Sequence, residues 1–159
     1  MSRTEKVDAQ KKPLMLIGPV AAGKSTLIKA LGMDDGPEEA KGEKAKKTEA
    51  ITYFSQAIDT PGEMITIPFF YNALIVNSVR ARMILLLMDG QKPSHLPPRL
   101  ALALKAPVIG VINKIDQASE SNLAKAWAAL QGAGVREIFK ISAVTGEGIA
   151  QLRELIEKN

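Results

Sequence analysis

The most chemically loaded stretch of the sequence comes early. Gly18-Pro19-Val20-Ala21-Ala22-Gly23-Lys24-Ser25, followed by Thr26, fits the pattern G-x-x-x-x-G-K-[ST]. Wrapping a phosphate chain requires backbone N–H groups that point inward around its oxygens, and glycine is needed wherever a side chain would intrude. Lys24 is then expected to reach the β- and γ-phosphates, and the Ser25 hydroxyl to ligate Mg²⁺.

Three later motifs extend this cradle. Asp59-Thr60-Pro61-Gly62-Glu63 offers a carboxylate that can hold Mg²⁺ through water and a glycine whose N–H can reach a γ-phosphate. Asn113-Lys114-Ile115-Asp116 carries base chemistry. The Asp116 carboxylate presents two acceptors to adjacent donors, which guanine has at N1 and N2 and adenine lacks. Asn113 can reach the base and brace the phosphate loop, while the Lys114 stem can lie along the ring. Ser142-Ala143, ahead of Gly146-Glu147-Gly148-Ile149, can present a backbone N–H to guanine O6. Each of these three alone is an ordinary turn or cap; their order behind the phosphate loop makes them a set. The expected ligands are GTP or GDP with Mg²⁺.

Such a set must be held by elements that end where the motifs begin. Leu14-Met15-Leu16-Ile17 is an apolar run of strand length, and a helix is expected from Lys24 to Leu31, stopping near Gly32. Residues 33–49, with Gly36, Pro37, Gly42 and many charges, predict an irregular, mobile loop. Ile51–Phe54 and Ala57–Ile58 predict strands, and Met64–Arg80 a long helix that Pro68 kinks or delays. Met83–Met88 predicts a buried strand ended by Asp89-Gly90, and Leu96–Leu104 a helix with Pro97 and Pro98 near its start. The pattern closes with a strand at Pro107–Ile112, a helix at Ser121–Leu130, a strand at Glu137–Ile141 and an amphipathic helix at Glu147–Lys158. This alternation implies an α/β fold: three layers around a doubly wound, mainly parallel sheet. Residues 13–159 are expected to form one domain behind a flexible polar tail, residues 1–12. In such sheets ligands bind beyond the carboxyl ends of the strands, where all four motifs fall.

Composition narrows the chemistry further. The 159 residues are 46% apolar and 24% charged, enough for one domain with a real core. With no cysteine and a single histidine, His95, thiol nucleophiles, disulfides, usual zinc clusters and Ser-His-Asp triads are excluded. The net charge is +4, but Lys41, Lys44, Lys46 and Lys47 are interleaved with Glu43 and follow Asp34, Asp35, Glu38 and Glu39. That mixed run reads as solvated loop, so no nucleic acid partner is expected. No apolar run reaches the roughly 18 residues of a membrane span, and the N-terminus lacks an apolar signal core, so a cytoplasmic location without transmembrane insertion is expected. His95 reads as a surface histidine, Trp127 as helix packing, and the six methionines as core filler.

With the four motifs in this order, residues 14–158 resemble the Ras-like GTPases of the translation-factor-related class. Lys47-Thr48-Glu49-Ala50-Ile51, Ile58 to Met64 and Tyr71-Asn72-Ala73-Leu74 look closer still to the ethanolamine- and propanediol-utilisation P-loop proteins (EutP/PduV), which are associated with bacterial microcompartments. The resemblance implies a slow, Mg²⁺-dependent GTPase with a microcompartment shell or enzyme protein as partner. It also implies that Thr48 is the switch threonine that closes over Mg²⁺ and the γ-phosphate, so that Lys24, Thr48, Gly62 and Glu63 would carry the catalysis. Two positions depart from patterns in related GTPases. Glu63 stands where many regulatory GTPases carry a water-orienting glutamine, which predicts slow intrinsic hydrolysis. Ala21 stands where potassium-accelerated GTPases share an asparagine, so potassium activation is not expected. Two further functions stay open: an acetate kinase-like transfer of phosphate to a small acceptor, and a nucleotide-bound scaffold that does not turn over.

Overall fold

The structure, a computed structural model, describes residues 12–34 and 51–159. The apolar run after Pro13 forms strand β1 (Leu14–Ile17), buried throughout. The glycine-rich turn leads from it into helix α1 (Lys24–Ala30). Strand β2 (Thr52–Tyr53) runs antiparallel to β3 (Ala57–Asp59), the one reversal in the sheet. Strands β4 (Met83–Asp89), β5 (Val108–Asn113) and β6 (Ile138–Lys140) complete six strands in the order β2-β3-β1-β4-β5-β6, parallel from β3 onward. The expected mainly parallel sheet is therefore present, with β1 near its centre and the glycine-rich turn at its carboxyl end.

Side chains of a strand alternate between its faces, and β4 shows what this does to a fully apolar run. Met83, Leu85 and Leu87 enter one core cluster with Leu27 and Ile28 of α1 and with Leu152 and Ile156 of the last helix, α6 (Ile149–Lys158). Ile84, Leu86 and Met88 enter the other, with Leu74, Leu100, Ala126 and Leu130 from three helices on the opposite face. These are α3 (Tyr71–Ser78), α4 (Leu100–Ala103) and α5 (Glu120–Gly132). Each fully buried leucine contributes about 1.5–3 kcal/mol relative to exposure, and the two clusters hold the strand ends rigidly in place.

Three expectations are corrected. The helix expected over Met64–Arg80 is broken into α2 (Glu63–Thr66), a 3-10 turn at Pro68–Phe70, and α3. Ile67 is extended (φ −110°, ψ 113°), as the residue before a proline is biased to be. The helix expected over Leu96–Leu104 is reduced to the four residues of α4. Pro97 and Pro98 delay its start, Arg99 takes a left-handed φ of 62°, and the Arg99 and Ala101 N–H groups donate to Gly132 O and Ala133 O instead. Leu96, Leu100 and Leu104 stay buried all the same, which is why the apolar spacing looked helical. The last helix starts at Ile149 rather than Glu147, behind a left-handed Gly148.

The expectation of a mobile loop over residues 33–49 is corrected at its first residue. Met33 is part of the core, and its N–H donates to Ile28 O at 3.0 Å. Residues 35–50, with the loop itself and Thr48, lie outside the described residues, as do residues 1–11 of the expected tail.

Candidate nucleotide site

Helix α1 opens on a left-handed Gly23 (φ 95°), and the first helical bond runs from Leu27 N–H to Gly23 O at 2.9 Å. The N–H groups of Gly23, Lys24, Ser25 and Thr26 therefore precede the helical ladder and have no carbonyl partner within it, which is the basis of anion binding at helix N-termini. Glycine is required at 23 for a second reason: a Cβ there would sit 2.3 Å from Asn113 Nδ2. Ala21 is left-handed too (φ 66°), a conformation that costs a non-glycine residue of order 1–3 kcal/mol and clusters at functional sites.

Lys24 is buried to 9% exposure, and its amine donates to Gly18 O (2.9 Å) and Pro19 O (3.1 Å). Burial pulls its pKa below the ordinary lysine value, while Asp59 and Glu63 pull it back up. Both carboxylates therefore lie within electrostatic reach of the amine.

Asp59 ends β3 and receives the Ser25 hydroxyl on Oδ2 at 3.1 Å. Its other oxygen, Oδ1, is buried with no hydrogen-bond partner among the described residues. Burial pushes this carboxyl above the usual range, partly offset by the Lys24 charge and the Ser25 hydrogen bond. A hydroxyl and an unpartnered carboxylate oxygen, side by side at a phosphate cradle, fit Mg²⁺. This ion takes one or two protein oxygens and completes its octahedron with waters and phosphates. Among the described residues no cluster of three or more His, Cys, Asp or Glu could form an all-protein cage.

The next loop lies directly on the cradle. A Cβ on Gly62 would fall 2.3 Å from Val20 N and 2.6 Å from Val20 Cα, so the two backbones touch. Thr60 anchors this approach from below, its hydroxyl donating to Leu16 O at 2.8 Å. Glu63 begins α2 and is exposed.

Asn113, at the end of β5, ties the site together. Its Nδ2 donates to Ala22 O at 3.0 Å, and its Oδ1 accepts from Lys114 N–H (2.8 Å) and Ala143 N–H (3.0 Å). Lys114, left-handed at φ 63°, spans back to Ala21 O at 2.7 Å and pairs with Asp89 at 3.1 Å. Asp116 sits exposed on the 3-10 turn Ile115–Gln117. Ser142 is buried, its oxygens accepting from Thr145 and Gly146 N–H groups, which shapes the last loop.

All predicted residues except Thr48, which is outside the described residues, thus gather at the carboxyl edge of the sheet. One participant was not singled out from sequence. Asp89 steadies the Lys114 amine while Gln91 and Lys92 N–H groups hold its other oxygen; its position at a carboxyl strand end was the available signal. The Ala143 N–H, expected to be available to a guanine O6, is engaged by Asn113 Oδ1.

Comparison with known proteins agrees with this architecture. The family model described as "Ethanolamine utilisation - propanediol utilisation" (PduV-EutP) matches residues 11–158. The "Propanediol utilization protein PduV" of Citrobacter freundii is 31% identical over 144 residues, covering 89% of this chain and 90% of that protein. The "Probable acetate kinase EutP" of Escherichia coli is 30% identical over 145 residues, covering 89% and 86%. Among solved structures, a probable GTP-binding protein EngB superposes with a TM-score of 0.66 at 21% identity, over 92% of this chain and 97% of that one. Elongation factor SelB of Methanococcus maripaludis, in complex with the GTP analogue GppNHp, superposes with a TM-score of 0.63 at 20% identity over 93% of this chain. This chain spans only 33% of that factor, so the likeness there is to one domain's fold. The family model over residues 11–158 and these relatives, on the sheet and strand-end loops described above, show that the chain belongs to the PduV-EutP family.

Proposed function

We propose that this protein binds guanine nucleotide with Mg²⁺ at this edge, hydrolyses GTP slowly, and acts as a nucleotide-dependent switch in ethanolamine or propanediol utilisation, with a microcompartment shell or enzyme protein as its partner. The observation that carries the reading is the bridge made by Asn113, which joins the phosphate cradle at Ala22 O to the loop at Ala143 N. A single ligand with a phosphate chain at one end and a purine at the other suits that arrangement.

In this reading the N–H groups of residues 23–26 hold the phosphates, and Lys24 exchanges its two loop carbonyls for phosphate oxygens. Ser25 and Asp59 hold Mg²⁺, which when bound offsets negative charge on the phosphates. Asp116 reads guanine N1 and N2, the Lys114 stem flanks the ring, and the loop at Ser142 and Ala143 meets O6. Gly62, lying on Val20, and Thr48 report whether a γ-phosphate is present. Glu63 adds negative charge beside that phosphate and supports a slow rate. The test is nucleotide titration with and without Mg²⁺, followed by phosphate release. GTP and GDP bind and ATP binds far more weakly if the reading holds; ATP affinity equal to that for GTP overturns it.

The EutP relatives' name, "Probable acetate kinase", favours a second reading. An acetate oxygen would attack the γ-phosphorus, forming a new P–O bond while the bond to the β–γ bridging oxygen breaks, to give acetyl phosphate and the nucleoside diphosphate. Glu63, close enough to act on Lys24, disfavours a second carboxylate there. Acetyl phosphate formation with GTP or ATP, measured against phosphate release, separates the two.

A further inference from the structure

A second concavity lies at the opposite end of the sheet. The amino ends of β1, β3 and β4 and the last turns of α1 and α6 enclose about 630 Å³, within the usual range of small-molecule pockets. Three cations from separate elements line it: Lys12 ahead of β1, Arg82 ahead of β4, and Arg153 on α6. Glu157 and Asn159 line it with them. Leu31, Met33 and Ile156 supply an apolar wall.

Each cation is held by one main-chain carbonyl. Lys12 Nζ donates to Val79 O (3.4 Å), Arg82 Nη1 to Ile156 O (3.0 Å) and Arg153 Nη2 to Ala30 O (2.7 Å). All three acceptors stand at helix C-termini, where cations are favoured, so capping accounts for one N–H apiece. It leaves four of the five donors on each guanidinium and does not require the three residues to line one cavity. Among the described residues the ion pairs are Lys114–Asp89 and Lys158–Glu154, so none of the three pairs with a carboxylate of those residues. Arg82 is part-buried as well, which pulls its pKa below the ordinary arginine value; a bound anion would relieve that cost.

We propose that this cavity binds a small organic oxyanion, a carboxylate or phosphate group on a short apolar stem, with the oxygens on Arg82, Arg153 and Lys12 and the stem on Leu31, Met33 and Ile156. The site is separate from the nucleotide edge and does not depend on the function proposed there.

Amide and methyl NMR titration of the full chain with butyrate, butyl phosphate and inorganic phosphate, against sodium chloride at matched ionic strength, tests it. Expected are shifts at Leu31, Met33 and Ile156 with a dissociation constant of about 1 mM or tighter. Comparing the butyl probes tells a carboxylate ligand from a phosphate one, and inorganic phosphate reports the value of the stem. Arg82 variants risk loosening α6, so the decisive variants are Lys12→Gln and Arg153→Gln, at exposed positions. Each should weaken binding by roughly tenfold, the worth of one charged hydrogen bond, while the thermal melt shows the protein folded. Three results would overturn the proposal: no shifts at the cavity with any probe, shifts confined to residues 18–26, or variants that lose stability yet bind the probes unchanged. The last would leave the three cations as helix caps alone.

Discussion

The Ser25 hydroxyl donates to Asp59 Oδ2 at 3.1 Å while Asp59 Oδ1 stays buried without a partner among the described residues. Burial raises the folded-state pKa of this carboxyl above its usual value of about 3.9, and two pH dependences of opposite sign result. In metal-free protein the folded form binds the proton better. Asp59's contribution to stability is therefore fully present below about pH 4 and is lost as pH rises through the raised value. Mg²⁺ needs the ionised form, so affinity for the Mg²⁺–nucleotide complex rises over that same interval. Thermal melts and nucleotide titrations, each with and without Mg²⁺, should show the two trends, and Asp59→Asn should flatten both. Full Mg²⁺ dependence in that variant would remove Asp59 from the metal site.

Asp116 is exposed, so truncating it should leave the fold intact and isolate its role in base recognition. Two hydrogen bonds from a charged acceptor are worth about 1.5–3 kcal/mol each. Asp116→Ala should therefore weaken GTP and GDP by at least ~100-fold and leave the weak binding of ATP as it was. An equal loss for all three nucleotides would mean that the residue is structural.

Gly62→Ala places a Cβ against Val20 N, and the atoms it meets are backbone, which cannot swing aside as a side chain can. Residues 62 and 63 must lift off the cradle. GDP affinity should stay within about threefold, and GTP affinity should fall about tenfold or more, a loss of about 1.4 kcal/mol. The ratio of the two constants, measured by competition, is the readout.

Asn113→Ala removes three hydrogen bonds, to Ala22 O and from Lys114 and Ala143 N–H. At about 1 kcal/mol each, the fold should lose about 3 kcal/mol and melt roughly 6–12 °C lower. Asn113→Asp keeps the acceptor side but sets a carboxylate against Ala22 O, so it should not restore stability. A melt that matches the unaltered protein in either variant would mean that the loops hold one another without this side chain.

The sheet was largely legible because its strands are apolar runs buried on both faces: Leu14 to Ile17 and Met83 to Met88 read the same in sequence as in space. The motif residues were legible because their chemistry is local to each loop. What escaped was chemistry made by partners far apart in the chain. Asp89 carries no motif of its own; its meaning comes from Lys114, the residue just past the end of the neighbouring strand. Leu96, Leu100 and Leu104 had helical spacing, yet backbone bonds to the end of α5 decided the conformation there.

Asn113 also divides the site into two halves of unequal readiness. The base-side loops are already clamped to one another and to Ala22, so a purine arriving there orders little and forfeits little entropy. On the phosphate side Lys24 is engaged by Gly18 O and Pro19 O, and Gly62 rests on Val20, so a triphosphate must first break contacts. Association should accordingly proceed from the base toward the phosphates. A fast encounter common to GDP and GTP would precede a slower rearrangement, and that slower step is where the two nucleotides part company.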